Sequence, residues 1–304
     1  MNLALDATYS LGTDVSGVGV YSRELLRGLA AARPEQTFHW MYRPHRYLRA
    51  RRESVPCNVR RSILWDTAGF RPGLFHGLNQ RLPTRRYPLQ VATFHDLFVL
   101  SGDYSTPEFR RRFAKQARHA AATADRIVAV SQFTAGQVQD LLGVPASSIR
   151  VIHHGLCHYS VTGVPREKIV LSVGAIQRRK NTARLIEAFR AVPQGWRLIL
   201  AGSAGYGAEQ ILASAARDPR ITVTGYVSQT ELSRLYAQAS IFAFPSLDEG
   251  FGMPILEAMA AGVAVITSNI GAMPEVAGDA AVLINPENTD ELAAALRNLA
   301  GNQA

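Results

Sequence analysis

Residues 244–262 read FPSLDEGFGMPILEAMAAG, and the order of residue types predicts a strand, a loop and a helix. The apolar residues 240–244 form the predicted strand. Pro254 is typical of the first turn of a helix, since its fixed φ suits that turn and no N–H is needed there. Gly250 and Gly252 lie between, where free backbone N–H groups and the helix dipole favour an anion. The stretch therefore predicts a strand–loop–helix unit with an anion site at the start of the helix.

Two carboxylates, Glu249 and Glu257, lie in this stretch. Glu249 belongs to the loop, and Glu257 lies one turn into the predicted helix. Glu257 is therefore close enough to accept hydrogen bonds from hydroxyl groups of the molecule that carries the anion. A phosphate next to a polyol is the chemistry of a nucleotide sugar.

The alternation of short apolar strands and helices continues over the whole chain and predicts parallel sheets that are covered on both faces. The pattern loosens at residues 157–165, which form the candidate linker. We expect two doubly wound domains, residues 1–160 and 161–304. Ligands of such sheets bind at the carboxyl ends of the strands, here facing a cleft between the domains. In the first half, Ser16–Gly19 is predicted as a tight loop before a helix at residues 20–31.

The composition is that of a globular protein, with 47% hydrophobic and 19% charged residues. No apolar run reaches the roughly 18 residues that span a bilayer, and no signal peptide is evident at the N-terminus. Cys57 and Cys157 fit no metal-ligand spacing, so we expect two free thiols. A cytoplasmic location is expected from these features.

The net charge of +9 is concentrated in the first half, where residues 1–160 hold 21 Lys and Arg against 11 Asp and Glu. Two basic tracts with interleaved apolar residues, 43–52 and 109–118, are typical of segments that lie on an anionic membrane surface. A solvated helix face explains them equally well. The first interpretation implies peripheral attachment to the inner membrane face. No nucleic-acid recognition motif is present, and no nucleic-acid partner is expected.

The second half resembles the donor-binding domain of retaining glycosyltransferases of the family-4 type, which have the two-domain GT-B fold. The first half is similar to the same family, so that the resemblance covers nearly the whole chain. The matching segments are residues 173–181, 200–202, 223–226, 249–257 and 275–280 in the second half, and 16–21, 75–77, 93–96 and 130–134 in the first.

The resemblance implies a role for each matching residue. Glu249 and the N–H groups of Gly250–Gly252 would hold the hydroxyls of the donor sugar, and Glu257 would accept from the ribose. Arg179 and Lys180 would neutralise the pyrophosphate, which is the leaving group. His95 would lie beside the anomeric carbon and support positive charge there. The further donor-binding residues that it implies are Gly17, Gly19, Gly174, Gly202, Tyr226, Val227, Leu232, Phe251, Met253, Pro254 and Ile255.

Two of these assignments have alternatives in the sequence. The run 178–180 taken alone is more typical of a solvated charge run than of a phosphate site, but its place between a strand and a helix start favours phosphate binding. Gly17 and Gly19 open a helix as in a dinucleotide fingerprint. That fingerprint needs a third glycine, where the chain has Ser22. It also needs an acidic residue about 20 positions later, but residues 39–43 include none. An oxidoreductase is therefore disfavoured.

The chain departs from the family at three points, one of which is that the first domain is compact, with no recognisable long acceptor loop. Ala175 follows Gly174 where the family often has arginine, and we expect Arg179 to serve instead. The family usually continues with a helix that crosses back onto the first domain, and this helix is expected to be missing, because the sequence stops at Ala304.

We expect a retaining, metal-independent hexosyltransferase of polysaccharide biosynthesis. It would use a nucleotide sugar such as GDP-mannose or UDP-hexose, without a further cofactor, and a glycan or lipid-linked acceptor. Similarity to mannosyltransferase-like members favours mannose. The alternative is a weak or inactive nucleotide-sugar-binding subunit of a membrane-associated glycan assembly complex. A GT-B epimerase would need a different set of carboxylates.

Overall fold

The computed structural model describes residues 2–12, 16–66, 69–156 and 163–302. The chain forms two units. The first comprises residues up to 100 and 107–154, and the second comprises residues 101–106 and those from 155 onwards. The predicted boundary between residues 160 and 161 lies outside the described residues, as does most of the candidate linker.

The first unit is built on a seven-stranded parallel sheet. Its strands are β1 (Leu3–Asp6), β2 (Phe38–Tyr42), β3 (Val59–Ile63), β4 (Leu74–Gly77), β5 (Leu89–Phe94), β6 (Arg126–Ala129) and β7 (Ile149–Val151). Their order in the sheet is β3-β2-β1-β4-β5-β6-β7, so that the direction of strand addition reverses between β1 and β4. The helices of this half are α1 (Gly17–Ala32), α2 (Pro44–Ala50), α3 (Phe98–Ser101), α4 (Pro107–Thr123) and α5 (Gln132–Leu142).

The second unit has a six-stranded parallel sheet. Its strands are β8 (Glu167–Val173), β9 (Arg197–Ala201), β10 (Ile221–Gly225), β11 (Ala239–Phe244), β12 (Ala264–Ser268) and β13 (Val282–Ile284). The order is β10-β9-β8-β11-β12-β13, and the reversal falls between β8 and β11. The helices are α6 (Thr182–Phe189), α7 (Ala208–Ala215), α8 (Gln229–Gln238), α9 (Met253–Ala260), α10 (Met273–Ala277) and α11 (Thr289–Gly301).

Apolar side chains on both faces of each sheet explain these layers. In β11 every residue is buried, and Ile241 packs in one cluster with helices α6 and α11, while Phe242 packs in another with helix α9. Alternate residues of a strand point to opposite faces, so a strand buried on both sides needs a continuous apolar run. In β1, Ala4 and Leu5 likewise belong to two different clusters.

The predicted α/β class with two doubly wound parallel sheets is confirmed. The prediction of a loop at Ser16–Gly19 is wrong, because α1 begins at Gly17 and Ser16 is its N-cap, with Ser16 Oγ accepting from the Gly19 N–H at 3.4 Å. The edge strand β3 was not predicted from the sequence. Its residues VRRSI include two arginines, which obscure the apolar pattern of a strand. In the described ranges, no helix has the length and hydropathy of a membrane span.

Candidate functional site

The loops that follow β8 and β11 meet in the second unit. These two strands are neighbours at the point where the strand order reverses, which is where doubly wound sheets bind their ligands. The backbone joins the loops, because the Leu247 N–H donates to the Arg179 carbonyl at 2.8 Å. Residues 68 positions apart in sequence, 247 − 179, are thereby brought into one site.

Arg179, Lys180 and Glu249 form one buried ionic cluster at this place. Glu249 Oε1 lies 2.8 Å from Arg179 Nη1 and 2.5 Å from Lys180 Nζ. Arg179 and Glu249 are only 7% and 9% exposed. Burial would raise the pKa of Glu249, but the Lys180 and Arg179 cations outweigh burial and hold that pKa below its ordinary value. The cluster is thus ionised and carries one net positive charge.

Backbone strain lies directly beside the cluster. Among the described residues, Asn181 is the only one other than glycine with a positive φ, at 57°. Its side chain donates to the Pro286 carbonyl at 2.7 Å, which holds the chain in this conformation. Lys180 Nζ lies 4.5 Å from the centre of the Phe244 ring, which favours a cation there. Strained backbone next to buried charge is typical of functional sites.

The cluster also has contacts with the residue before Glu249. Arg179 Nη1 donates to the Asp248 carbonyl. Ser101 Oγ donates to Asp248 Oδ2 at 2.5 Å, and Ser101 belongs to the segment 101–106 that groups with the second unit. Burial, with the Asp248 carboxylate, raises the pKa of Tyr104 in the same segment. No motif in the sequence pointed to this segment.

Gly174 and Gly202 shape the loops, because their backbones are in close contact. A Cβ atom on Gly202 would lie 2.0 Å from the Gly174 carbonyl oxygen, which no side chain can tolerate. The Gly174 N–H donates to the Ala201 carbonyl at 2.9 Å. Both glycines therefore allow the loop after β8 to fold against β9.

Helix α9 begins as the sequence predicts, with Pro254 in its first turn. Gly252 precedes it with φ of 100°, and a Cβ there would lie 3.0 Å from Ile255 Cδ1. Ile255 and Phe251 are 0% and 7% exposed, so their side chains belong to the interior of the unit. Met253 is half-buried.

Glu257 is held in place by a residue that the sequence did not single out. The Tyr236 hydroxyl, on a fully buried ring of α8, donates to Glu257 Oε2 at 2.8 Å. It also lies 3.4 Å from the Pro254 carbonyl. The α8 sequence shows a buried aromatic residue but gives no signal for this hydrogen bond.

The three residues predicted around the base follow β10. Tyr226 is 55% exposed, while Val227 and Leu232 are half-buried and pack against the apolar cluster that contains Phe242. The structure places them near the carboxyl end of β10, the edge strand of the sheet.

His95 lies in the first unit, just after β5, within a group of aromatic side chains. Its Nε2 lies 2.9 Å from the Leu78 carbonyl, which can only accept, so Nε2 carries the proton. Its ring meets Tyr21 edge-on at 4.6 Å and stacks on His154 at 5.4 Å between centroids. His76 Nε2 lies 2.9 Å from Thr93 Oγ1.

These histidines are neutral at physiological pH. Burial lowers the pKa of His76 and of His95 to about 4, and that of His154 to about 3. His154 stacks on His95, the residue to which the resemblance assigns a reactive role. Gly17 and Gly19 lie in the first turn of α1, and the space around Gly17 is open.

His95, Arg179, Lys180 and Glu249 are the predicted catalytic residues. The structure brings Arg179, Lys180 and Glu249 together in the second unit and places His95 in the first. In the described part of the chain, no group of three or more His, Cys, Asp or Glu side chains is arranged to hold a metal ion. Cys57 is exposed and free, and Cys157 lies outside the described residues.

Two sequence families match the two halves of the chain. Residues 15–157 match Glycosyltransferase Family 4, and residues 167–302 match Glycosyl transferases group 1. The chain is 29% identical to O-antigen chain mannosyltransferase B of Escherichia coli, over 95% of this chain and 88% of that protein. It is also 29% identical to the serotype-specific mannosyltransferase WbdA of Escherichia coli, over 66% of this chain, but spans only 28% of that longer protein.

Solved structures share the whole fold at low sequence identity. A sucrose-phosphate synthase of Thermosynechococcus elongatus superposes with a TM-score of 0.77 at 20% identity, over 99% of this chain and 90% of that one. WaaG, a glycosyltransferase involved in lipopolysaccharide biosynthesis, gives a TM-score of 0.68 at 15% identity, over 98% and 90%. With both halves matched and the fold shared end to end, this chain belongs to the GT-B glycosyltransferases, with a family 4 first half and a group 1 second half.

Proposed function

We propose that this glycosyltransferase is a retaining, metal-independent mannosyltransferase that uses a nucleotide sugar and a glycan or lipid-linked acceptor. One observation carries the proposal, namely the buried cluster of Arg179, Lys180 and Glu249 at the switch point of the second sheet. Two fixed cations beside an αL residue form a preorganised site for a phosphate group.

The proposed chemistry breaks the bond between the anomeric carbon and a phosphate oxygen. Negative charge then grows on the leaving nucleoside diphosphate, while the acceptor hydroxyl forms the new glycosidic bond and loses its proton. Arg179 and Lys180 stabilise that charge in the transition state, so that they supply the neutralisation for which other enzymes use a divalent ion. A same-face reaction, with the leaving phosphate as the base, retains the configuration.

The geometry broadens the role that the resemblance assigns to Glu249. Because Glu249 Oε1 contacts both cations, this carboxylate positions the phosphate-binding groups in addition to any contact with the sugar. We propose that Glu257, held by Tyr236, accepts from the ribose hydroxyls, and that neutral His95 contributes to turnover from the first unit.

Mannose is proposed because the curated relatives include mannosyltransferases of O-antigen chains. HepE of Anabaena, solved with UDP and glucose, has a TM-score of 0.70 at 18% identity over 97% of this chain and 88% of that one, which leaves UDP-glucose as the competing donor.

The proposal is tested by transfer from radiolabelled GDP-mannose and UDP-glucose in the presence of EDTA, with lipid-linked and free oligosaccharide acceptors. We expect a mannosylated product whose rate EDTA does not change, and an α-linkage by NMR from the α-configured donor. An inverted product, a requirement for a divalent ion, or transfer only from UDP-glucose would each contradict a stated part of the proposal.

A further inference from the structure

A second carboxylate lies beside the buried ionic cluster, on the residue before Glu249. Asp248 is only 7% exposed. The cluster holds its main chain, because Arg179 Nη1 donates to the Asp248 carbonyl and also lies 2.8 Å from Glu249 Oε1. Its side chain is held separately, since Ser101 Oγ donates to Asp248 Oδ2 at 2.5 Å. The Asp248 carboxylate is thus fixed beside the groups that the proposed function assigns to the phosphate.

The donor to this carboxylate comes from a distant part of the sequence. Ser101 is the last residue of α3 and lies 147 positions before Asp248. It begins the segment 101–106, which groups with the second unit, while the residues that flank it in the chain belong to the first. Burial raises the pKa of Tyr104 in this segment, and the charges of Asp248 and Arg179 also act on it. The segment therefore lies within electrostatic range of the cluster.

The charges of the cluster show why the position of the Asp248 carboxylate matters. Arg179 and Lys180 supply two positive charges, and their contacts with Glu249 offset one of them. The charge that remains attracts a phosphate. If the Asp248 carboxylate paired with either cation, it would cancel that charge and occupy donors that a phosphate needs. A carboxylate at this position therefore competes with the ligand if it turns towards the cations.

The Ser101 hydroxyl offers this carboxylate a different partner. A carboxylate that is buried away from water needs a hydrogen-bond donor or a cation close by. Ser101 is a neutral donor, so its hydrogen bond stabilises Asp248 without using Arg179 or Lys180. In the absence of the hydroxyl, the Arg179 guanidinium, which already contacts the Asp248 carbonyl, is within reach of the carboxylate.

We propose that Ser101 is a positioning residue of the phosphate site. It holds the Asp248 carboxylate aside, so that Arg179 and Lys180 stay available to the diphosphate of the donor. The inference rests on the proposed function, since it takes these two cations as the groups that bind the leaving diphosphate. Ser101 acts through Asp248 and is assigned no contact with the donor itself.

Calorimetry with inorganic pyrophosphate, GDP and UDP tests the proposal without any transfer reaction. Ser101→Ala removes the hydroxyl, and because Ser101 is exposed, the change leaves no cavity in the core. We expect the affinity for each ligand that the unsubstituted protein binds to fall about tenfold, as for loss of a hydrogen bond to a charged group. Ser101→Thr keeps a hydroxyl and should restore the affinity.

A double variant separates positioning from a purely structural role. In Ser101→Ala/Asp248→Asn, the side chain at position 248 keeps its shape but has no charge with which to neutralise the cations. Its affinity for the same ligands should therefore return at least to that of the unsubstituted protein. A double variant that binds as weakly as Ser101→Ala, or more weakly, would overturn the proposal.

The matched control is Ser105→Ala, the same change in the same segment. Among the described residues, the Ser105 hydroxyl has no hydrogen-bond partner. This variant should bind like the unsubstituted protein, and circular dichroism checks that all variants are folded. Equal losses in Ser105→Ala and Ser101→Ala, or no loss in Ser101→Ala, would overturn the inference and leave the proposed function standing. An unsubstituted protein that binds none of the three ligands would overturn both.

Discussion

At the scale of single residues, the site depends on pairs that only the folded chain brings together. The sequence identified Arg179, Lys180, Glu249 and Glu257 as chemistry-bearing residues from their positions after predicted strands and at a helix start. It gave no signal for Tyr236 or Ser101, because a hydrogen bond between distant residues leaves no local pattern. It also did not predict that Glu249 pairs with both cations.

The hydrogen bond from Tyr236 to Glu257 gives a prediction at this scale. Tyr236→Phe keeps the buried ring and removes only the hydroxyl, so the fold should be intact. A hydrogen bond to a charged group contributes about 1.5 kcal/mol, which is about tenfold in affinity. We expect nucleoside diphosphate affinity, measured by calorimetry, to fall by about that factor.

The double variant supplies the control for this interpretation. If Tyr236 acts by holding Glu257, adding Tyr236→Phe to Glu257→Gln should cost little further affinity. Fully additive losses would show that the two residues act independently and would contradict the positioning role.

At the scale of elements, the sequence predicts the central strands well and misses one edge strand of each sheet. The mostly apolar strand β11 and the helix that begins near Pro254 are evident from their residues. The arginine-containing β3 and the three-residue β13 lie at sheet edges, where burial does not demand a continuous apolar run. The first turn of α1 was missed because its two glycines are typical of a loop.

The start of α9 gives a prediction at the element scale. Gly252→Ala places a side chain at φ of 100° and within 3.0 Å of Ile255, which should cost about 1–3 kcal/mol and weaken donor binding by moving the helix start. Gly28→Ala is the matched change in the interior of α1, where no atom lies within 4 Å of the added Cβ. Gly28→Ala should stabilise the folded protein by about 0.5–1 kcal/mol, because alanine has a higher helix propensity than glycine.

Chemical denaturation measures both variants. The free energy of unfolding should fall in Gly252→Ala and rise in Gly28→Ala. Only Gly252→Ala should affect the affinity for the nucleotide. Unchanged stability and affinity in Gly252→Ala would show that the glycine is not needed for this turn.

At the scale of the whole molecule, the two sheets and their switch points follow from the alternation of strands and helices, and the sequence predicts them. The aromatic group around His95 does not follow from it. His76, His95 and His154 come from strand β4, the end of β5 and the end of the first unit, so only the topology brings them together.

The lowered pKa values of these histidines predict how the stability of the first unit depends on pH. Their pKa values in the folded chain, about 4 for His76 and His95 and about 3 for His154, lie below the ordinary value of 6.5. Below pH 6.5 the unfolded chain therefore binds protons that the folded chain does not, and stability falls as the pH falls from about 6.5 to 4. Each such histidine contributes a slope of up to about 1.4 kcal/mol per pH unit.

Chemical denaturation between pH 4 and 8 measures how the free energy of unfolding depends on pH. The variant His154→Phe, which removes one titrating ring, is the comparison. The variant should show a shallower loss of stability on acidification. A free energy of unfolding that is constant between pH 6.5 and 4.5 would contradict the burial of neutral histidines.

The central claim is that Arg179 and Lys180 stabilise the departing nucleoside diphosphate. The measurement that tests it most directly is the turnover rate of Lys180→Met at saturating GDP-mannose, with Arg178→Gln as the control at an exposed neighbouring cation. Loss of one donor to the growing charge should lower turnover about 100- to 1,000-fold with a much smaller change in donor affinity, and the control should keep its rate. A Lys180→Met enzyme that turns over within a few-fold of the unsubstituted protein would contradict the claim.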